Sequence, residues 1–195
     1  MSDTLRIALV GNPNCGKTSL FNHLTGTRQK VGNYAGVTVE RKVGTFQLAS
    51  GKAVRVLDLP GTYSLDATSP DEEITRNVVQ GKIAEEQQQD AFLCVVDATN
   101  LKLHLGLVLE MIALGRPILV VLNMMDEARR RGMQINTQKL SERKVSFLEV
   151  TKTPCNADSW VFFKQVAHAL CLLVGDIFVG IRCSRKWRIH DVLIA

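Results

Sequence analysis

The sequence predicts an α/β fold in which a mostly parallel sheet is covered by helices on both faces. Short apolar runs typical of strands alternate along the chain with stretches whose apolar residues recur at helical spacing. Such strand–helix alternation places parallel strands side by side and helices above and below them. The length of 195 residues suits one domain with a sizeable core. Ligands of such folds bind at the carboxyl ends of the strands.

Each element is predicted from its own local pattern. A helix over residues 17–25 follows the first strand, and a second helix is expected at roughly 70–82. The stretch "NLKLHLGLVLEMIAL" (100–114) carries an apolar helical stripe, and Gly115 ends it. Strands are predicted at four apolar runs: 5–10, 53–59, 91–98 and 117–123.

Three further segments are assigned by composition. Residues 27–38 are glycine-rich and polar and predict a mobile loop. After this loop we predict an edge strand in "VERKVGTFQL" and then a hairpin at "ASGK". "EEQQQD" (85–90) predicts a short solvated connection. A sixth strand is expected before residue 151, and residues 159–174 predict an amphipathic closing helix.

Composition limits the functional classes. The net charge of +5 fits an anionic partner but does not identify one. Five cysteines without a C-x-x-C pair predict reduced thiols of a cytosolic protein, and the four histidines lack zinc-ligand spacing. No signal peptide is predicted, and the most apolar late stretch is too short to span a bilayer, so the chain as given is expected to be soluble.

The segment "GNPNCGKT" (11–18) matches the phosphate-loop pattern G-x-x-x-x-G-K-[ST], between a strand and a helix. Its backbone N–H groups would form an anion nest, and its two glycines let the chain turn. The ammonium of Lys17 would reach the β- and γ-phosphates, and the Thr18 hydroxyl would bind Mg²⁺. The alternative is a chance glycine turn. The predicted phosphate-binding residues are Gly11, Asn12, Pro13, Asn14, Cys15, Gly16, Lys17, Thr18 and Ser19.

Two later segments would complete the phosphate and magnesium site. In "DLPG" (58–61), Asp58 can hold Mg²⁺ through water and the Gly61 N–H can contact the γ-phosphate, although a plain strand-ending turn would have the same residues. In "NYAGVTVE", Thr38 can close over Mg²⁺ when a nucleoside triphosphate is bound, or it can simply begin a strand. The neighbouring residues predicted to contact nucleotide are Gly36, Val37, Leu59 and Pro60.

The base is predicted from "NMMD" (123–126), at the end of an apolar strand. The Asp126 carboxylate can accept hydrogen bonds from guanine N1–H and the N2 amino group, whereas adenine offers no such pair. Asn123 would brace the phosphate loop, with Met124 beside the base. The three motifs together predict a site for GTP or GDP with Mg²⁺.

Five blocks of the sequence carry a family resemblance. "IALVGNPNCGKTSLFNHLTG", "RQKVGNYAGVTVERKVG", "DLPGTYSL", "VVDATNLKLHL" and "VLNMMDEA" resemble the N-terminal GTPase domain of ferrous iron transport protein B, over residues 5–143. The resemblance implies a Ras-like P-loop GTPase fold with a six-stranded sheet. It also implies potassium-stimulated GTP hydrolysis in bacterial ferrous iron uptake, on the cytoplasmic side of the inner membrane. In that family a helical domain and a membrane transport domain follow, and the departure of the last residues from the family pattern leads us to expect neither within these 195 residues.

The resemblance also suggests how hydrolysis proceeds. Thr62 stands where Ras-like proteins have the glutamine that orients the attacking water. In similar potassium-activated GTPases the asparagine at the position of Asn14 helps to bind K⁺, with loop carbonyls that would correspond to Gly32 to Tyr34. The alternative is that Asn14 only shapes the loop. The residues expected to act in catalysis are Asn14, Lys17, Thr38 and Gly61.

The last part of the chain departs from the family. The family's loop that binds guanine O6 corresponds to Thr151, Lys152 and Thr153 here. We expect a GTP-binding domain over 1–175 and a basic tail over 176–195, either solvated or in contact with lipid headgroups.

Three functions remain open at this point. The chain is a GTP-hydrolysing domain of an iron transporter, a stand-alone ribosome-associated GTPase, or a non-catalytic guanine-nucleotide sensor. Under the first function no nucleic-acid partner is expected, the transport domain is the partner, and oligomerisation is left open.

Overall fold

A computed structural model of the chain describes residues 4–26, 29–34, 37–48, 51–83, 86, 88–136 and 146–149. Within these ranges seven strands and four α-helices form one α/β unit, with a 3-10 turn at Ala98–Asn100 before the third helix. The strands are β1 (Leu5–Gly11), β2 (Gln29–Asn33), β3 (Glu40–Gln47), β4 (Ala53–Asp58), β5 (Ala91–Asp97), β6 (Ile118–Asn123) and β7 (Ser146–Glu149). The helices are α1 (Lys17–Thr25), α2 (Pro70–Val79), α3 (Leu101–Ala113) and α4 (Met125–Arg130).

The sheet is mostly parallel, as predicted. Its strand order is β2-β3-β4-β1-β5-β6-β7, and β4, β1, β5, β6 and β7 run parallel. Among these strands the two antiparallel pairings are β2 with β3 and β3 with β4. The expected six strands are β1 and β3 to β7, and β2 adds a seventh. Because the parallel strands point the same way, β1, β4, β5 and β6 all end at one edge of the sheet.

The core lies on both faces of the sheet. Ile7 and Leu9 of β1 belong to one buried cluster with Phe21 of α1. Ala8 and Val10, which alternate with them, belong to the other cluster, where α2, α3 and α4 pack. Because helices pack against both clusters, the predicted arrangement of helices on both faces of the sheet is confirmed. Each fully buried large side chain in these clusters contributes about 1.5–3 kcal/mol to folding.

The prediction of a mobile loop over residues 27–38 is partly wrong. Gln29–Asn33 form β2, which pairs with β3 from Gln29 opposite Gly44 to Asn33 opposite Glu40. As a result β3 is an inner strand rather than the predicted edge strand. All of β2 is exposed or half-buried, and Val31 is 62% exposed. Neither face of β2 enters the core, so the strand has no apolar alternation that a sequence pattern could reveal.

The three helices predicted within the described residues, at 17–25, 70–82 and 100–114, are present, and their ends have local causes. The Ser69 side chain caps α2 by accepting a hydrogen bond from the Glu72 N–H at 3.3 Å, and Pro70 occupies the first helical position. This helix ends at Val79 rather than near residue 82, and Gly81 follows with φ 70°. The hairpin expected at "ASGK" joins β3 to β4, with the Leu48 N–H donating to the Lys52 carbonyl at 2.9 Å.

The prediction of a solvated connection at residues 85–90 is wrong for Glu86. The Glu86 side chain is only 3% exposed and forms ion pairs with Arg41 of β3 and Arg55 of β4, the latter at 3.0 Å. Gln89 is also buried. The two arginines neutralise the carboxylate, which removes the main cost of burying it. This connection is therefore fastened to the antiparallel side of the sheet.

We expect Glu86→Gln to lower the free energy of unfolding by about 2 kcal/mol, because two cations lose their buried partner. The matched control is Glu40→Gln, since Glu40 pairs with Lys42 at 2.8 Å but is 53% exposed. That change should cost less than about 0.5 kcal/mol. Urea unfolding of both variants measures the difference, and equal losses would contradict a structural role for Glu86.

The predicted closing helix (159–174) and basic tail (176–195) lie outside the described residues. Across the described ranges, no helix combines the length and apolar character needed to cross a lipid bilayer.

Candidate functional site

The phosphate loop connects β1 to α1 at the carboxyl edge of the sheet. Asn14 (φ 61°) and Gly16 (φ 89°) both adopt left-handed backbone conformations, which asparagine and glycine tolerate best. No side chain caps the start of α1. Its first N–H groups therefore remain available, and the positive end of the helix dipole points the same way. This arrangement is suited to binding an anion.

A side chain from β6 braces the phosphate loop, as the sequence predicts. The Asn123 Nδ2 atom donates a hydrogen bond to the Cys15 carbonyl at 2.9 Å. A Cβ atom at Gly16 would lie 2.2 Å from the same nitrogen, so only glycine fits there. The segment predicted to select the base is thereby joined directly to the segment predicted to bind phosphate.

Lys17, Thr18 and Asp58 come together beside the start of α1. The Lys17 ammonium lies 3.6 Å from Asp58 Oδ1, and the Thr18 hydroxyl donates to Asp58 Oδ2 at 3.4 Å. Lys17 and Asp58 are both buried. Burial raises the pKa of the Asp58 carboxyl, and the positive charge of Lys17 opposes that rise.

These residues fit a hard divalent cation. Within the described part of the chain Asp58 Oδ1 is buried and accepts no hydrogen bond, and the Lys17 ammonium lies 3.6 Å from it. The other oxygen, Oδ2, accepts the Thr18 hydroxyl, so both Thr18 and Asp58 present oxygen atoms to the same place. Oxygen atoms of this kind are the ligands that Mg²⁺ prefers.

The "NMMD" segment turns sharply at the end of β6. Met124 adopts a left-handed conformation (φ 60°) and precedes α4, while Met125 is buried in the core. Asp126 therefore lies in the first turn of α4, with its side chain 28% exposed and 3.9 Å from Arg130. Its carboxylate stands at the same edge of the sheet as the phosphate loop.

The segment after β4 is docked on the phosphate loop. Leu59 is buried, and its N–H donates to the Leu9 carbonyl at 3.2 Å. The Pro60 carbonyl accepts a hydrogen bond from the Thr75 hydroxyl at 2.9 Å. Thr62 is fully buried, and its hydroxyl donates to the Ser64 carbonyl. Thr62 therefore has no free hydroxyl proton to direct at a water molecule.

Thr38 lies in a different environment. It is exposed, and no hydrogen bond among the described residues joins it to Thr18 or Asp58. Tyr34, four positions earlier in the sequence, is buried, and its N–H donates to the Val39 carbonyl at 3.1 Å. A cleft of about 760 Å³ separates this loop from the start of α2 and is lined by Asn33, Tyr34, Val37, Thr38, Val39, Pro70 and Asp71.

The remaining predicted residues divide by exposure. Among the residues of this segment, the side chains of Pro13, Asn14 and Ser19 are exposed, whereas those of Asn12 and Cys15 are buried. Burial raises the pKa of the Cys15 thiol, so it stays protonated. Gly32 and Asn33 lie in the ladder with β3. The predicted residues that fall outside the described ranges are Gly36, Thr151, Lys152 and Thr153.

Sequence reasoning missed one contact of this site. Glu110 of α3 accepts hydrogen bonds from Ser64 and Leu65, which follow the docked segment. A signal was present, because Glu110 is a lone acid in the apolar stretch "LGLVLEMIAL". Its partners, however, are 45 and 46 positions away.

Comparison with known proteins finds one family over most of the chain. The sequence profile of the family described as ferrous iron transport protein B matches residues 5–159. The Fe(2+) transporter FeoB of Escherichia coli (strain K12) is 48% identical over 143 residues, which cover 71% of this chain and 18% of that protein. A Porphyromonas gingivalis fusion of Fe(2+) transport protein A with Fe(2+) transporter FeoB is 45% identical over 137 residues, 70% of this chain and 16% of that protein.

Solved structures are similar over most of the chain. The cytosolic domain of L. pneumophila FeoB has a TM-score of 0.73 and 38% identity, with 86% of this chain and 68% of that chain covered. The cytosolic domain of the T. maritima FeoB iron transporter in a GDP form has a TM-score of 0.75 and 32% identity, with 89% and 64% covered. The chain spans less than a fifth of the length of the curated relatives above.

Proposed function

The chain belongs to the family of the N-terminal domain of ferrous iron transport protein B, and from this premise we propose that it binds GTP and GDP and hydrolyses GTP. The observation that carries the proposal is the hydrogen bond from Asn123 to the Cys15 carbonyl. It unites a base-selecting segment with an uncapped helix start that suits phosphate. Structures of similar domains are described as GDP-bound or in a GDP form.

Phosphate binding is assigned to the loop and its lysine. The free N–H groups before and within the first turn of α1 would donate to the β-phosphate. Lys17 would add charge-assisted hydrogen bonds to the β- and γ-phosphates and would exchange Asp58 for them. Gly61 would donate its N–H to the γ-phosphate. Gly11, Asn12, Pro13 and Ser19 shape this cradle.

Mg²⁺ would be held by Thr18, Asp58 and Thr38. When bound, it supplies positive charge that neutralises the phosphate oxygens. Thr38 and the neighbouring Val37 are exposed in the cleft, so this loop has to close toward Asp58 for Thr38 to take part. We propose that closure accompanies triphosphate binding and reverses after hydrolysis.

K⁺ is proposed to replace the missing catalytic glutamine. Thr62 is buried and its hydroxyl bonds to the Ser64 carbonyl, so this position cannot orient a water molecule. Asn14 is exposed in the loop and would hold K⁺ through its amide oxygen, with carbonyls of residues 32–34. When bound, K⁺ supplies positive charge against the phosphates where other GTPases use an arginine.

Guanine recognition is assigned to Asp126, with Asn123 and Met124 beside it. Thr151, Lys152 and Thr153 are proposed to contact guanine O6. For the longer protein, we propose that this domain regulates ferrous iron uptake by a membrane transport domain, from the cytoplasmic side of the bacterial inner membrane. The names of the relatives support this role.

The test is GTP turnover in potassium chloride and in matched sodium chloride, with ATP as the control substrate. We expect potassium to raise GTP turnover about tenfold over sodium, part of what one well-placed electrostatic partner supplies. Asn14→Ala should remove the stimulation. Asn22→Ala changes an exposed asparagine of α1 outside the loop and should keep it.

Two outcomes would contradict separate parts of the proposal. Equal, very slow GTP turnover in both salts would contradict the ion mechanism and favour a non-catalytic nucleotide sensor. Equal turnover of ATP and GTP would contradict guanine selection by Asp126.

A further inference from the structure

Glu110 connects α3 to the loop that follows Gly61. Its carboxylate accepts hydrogen bonds from the Ser64 hydroxyl, at 2.9 Å to Oε1 and 3.2 Å to Oε2. Oε2 also accepts the Leu65 N–H at 2.5 Å. Both the hydroxyl and the backbone group are thus held by one half-buried acid.

The other end of this loop is fixed to the phosphate loop. The Thr62 N–H donates to the Gly11 carbonyl at 3.2 Å. A Cβ atom at Gly61 would lie 3.0 Å from the Pro13 nitrogen and 3.1 Å from its Cα, so the backbones are in close contact. Gly61 therefore rests on the phosphate loop with no room for a side chain.

The two attachments lie close together in a loop without regular secondary structure. Residues 59–68 form neither helix nor strand, and Tyr63, the residue between the two attachments, is 48% exposed. A loop of this kind keeps one conformation only if side chains satisfy its backbone groups. Hydrogen bonds to a carboxylate are stronger than those between neutral groups, so Glu110 holds this loop by charge-assisted hydrogen bonds.

We propose that Glu110 is a positioning residue that holds Gly61 against the phosphate loop and thereby confers preference for a nucleoside triphosphate over the diphosphate. This inference rests on the proposed function, in which the Gly61 N–H binds the γ-phosphate. Because Glu110 already orders the loop, that contact forms at a smaller entropic cost. A diphosphate ends before Gly61 and does not use the contact.

The test compares the affinities of the whole chain for GDP and for a non-hydrolysable GTP analogue, both with Mg²⁺. For Glu110→Ala we expect the dissociation constant of the analogue to rise about tenfold, the worth of one charge-assisted hydrogen bond. The constant for GDP should stay within about twofold. Glu110→Gln keeps one acceptor oxygen but loses the charge, so it should recover only part of the loss. Leu109→Ala alters the adjacent exposed residue of α3 and should change neither constant.

Each outcome bears on one hypothesis. If the unaltered chain binds neither nucleotide, the proposed function is wrong. If it binds both and Glu110→Ala weakens both equally, or neither, the positioning role is overturned. Should Glu110→Ala fail to fold, Ser64→Ala removes the hydroxyl contacts alone and should weaken analogue binding about threefold, and an unchanged ratio of the two affinities would again overturn the role.

Discussion

Asp126→Asn is expected to lower the affinity for GTP about a thousandfold, because a site built to accept two hydrogen bonds would present a donor instead. Its amide nitrogen would face the N2 amino group of guanine, so two donors would meet in a half-buried position. Xanthine carries a carbonyl oxygen at that place and complements the amide. The variant should therefore bind xanthosine triphosphate more tightly than GTP.

Competition binding with GTP, xanthosine triphosphate and ATP measures this reversal. Glu127→Gln is the matched control, because it changes the next acid of α4, whose partners are Arg130 and Arg131. Its affinity for GTP should stay within about twofold. If Asp126→Asn binds GTP as tightly as the original chain, Asp126 does not select the base.

The predictable part of the fold is the part that the core determines. Residues 91–96 of β5 are buried without exception, and so are residues 118–122 of β6. Continuous burial demands continuous apolar sequence, and both strands were predicted to within one residue at each end. The strand β2 escaped prediction because its side chains face solvent on both sides of the sheet, so burial places no constraint on its composition.

Non-local polar contacts were unpredictable for a different reason. Glu86 lies in the hydrophilic run "EEQQQD", and its burial depends on arginines 45 and 31 positions away. Tyr34 lies in the segment predicted to be a mobile loop, yet its side chain is buried in the core cluster that includes Leu57 of β4. No local pattern encodes such pairings.

The candidate site was more predictable than its surroundings. The left-handed turns at Asn14 and Gly16 and the first turn of α1 all lie within a few consecutive residues, so one motif specifies them together. Thr38 shows where a motif stops being sufficient. Its position along the chain suits Mg²⁺, but its distance from Asp58 depends on the conformation of a loop that a ligand would have to close.

Lys17→Ala is expected to weaken GTP and GDP binding about a hundredfold, because the phosphates lose a buried charge-assisted partner. Lys102→Ala removes an exposed lysine of α3 and should leave both affinities unchanged. Isothermal titration with each nucleotide makes the comparison. Binding that survives Lys17→Ala intact would contradict the assignment of this loop to phosphate.

The same substitution should alter stability through Asp58. Burial raises the folded-state pKa of this carboxyl above its ordinary value of 3.8, and Lys17 limits the rise. A raised pKa means that the folded state holds the proton more tightly, so stability falls as the pH rises from about 3.8 through the folded pKa. Without Lys17 the pKa of Asp58 rises further, and the free energy of unfolding should fall more steeply between acidic and neutral pH.

Urea unfolding across that range should show a steeper fall for Lys17→Ala than for the original chain, and adding Asp58→Asn to the variant should abolish the difference. An unchanged pH profile in Lys17→Ala would mean that Lys17 does not stabilise the Asp58 charge.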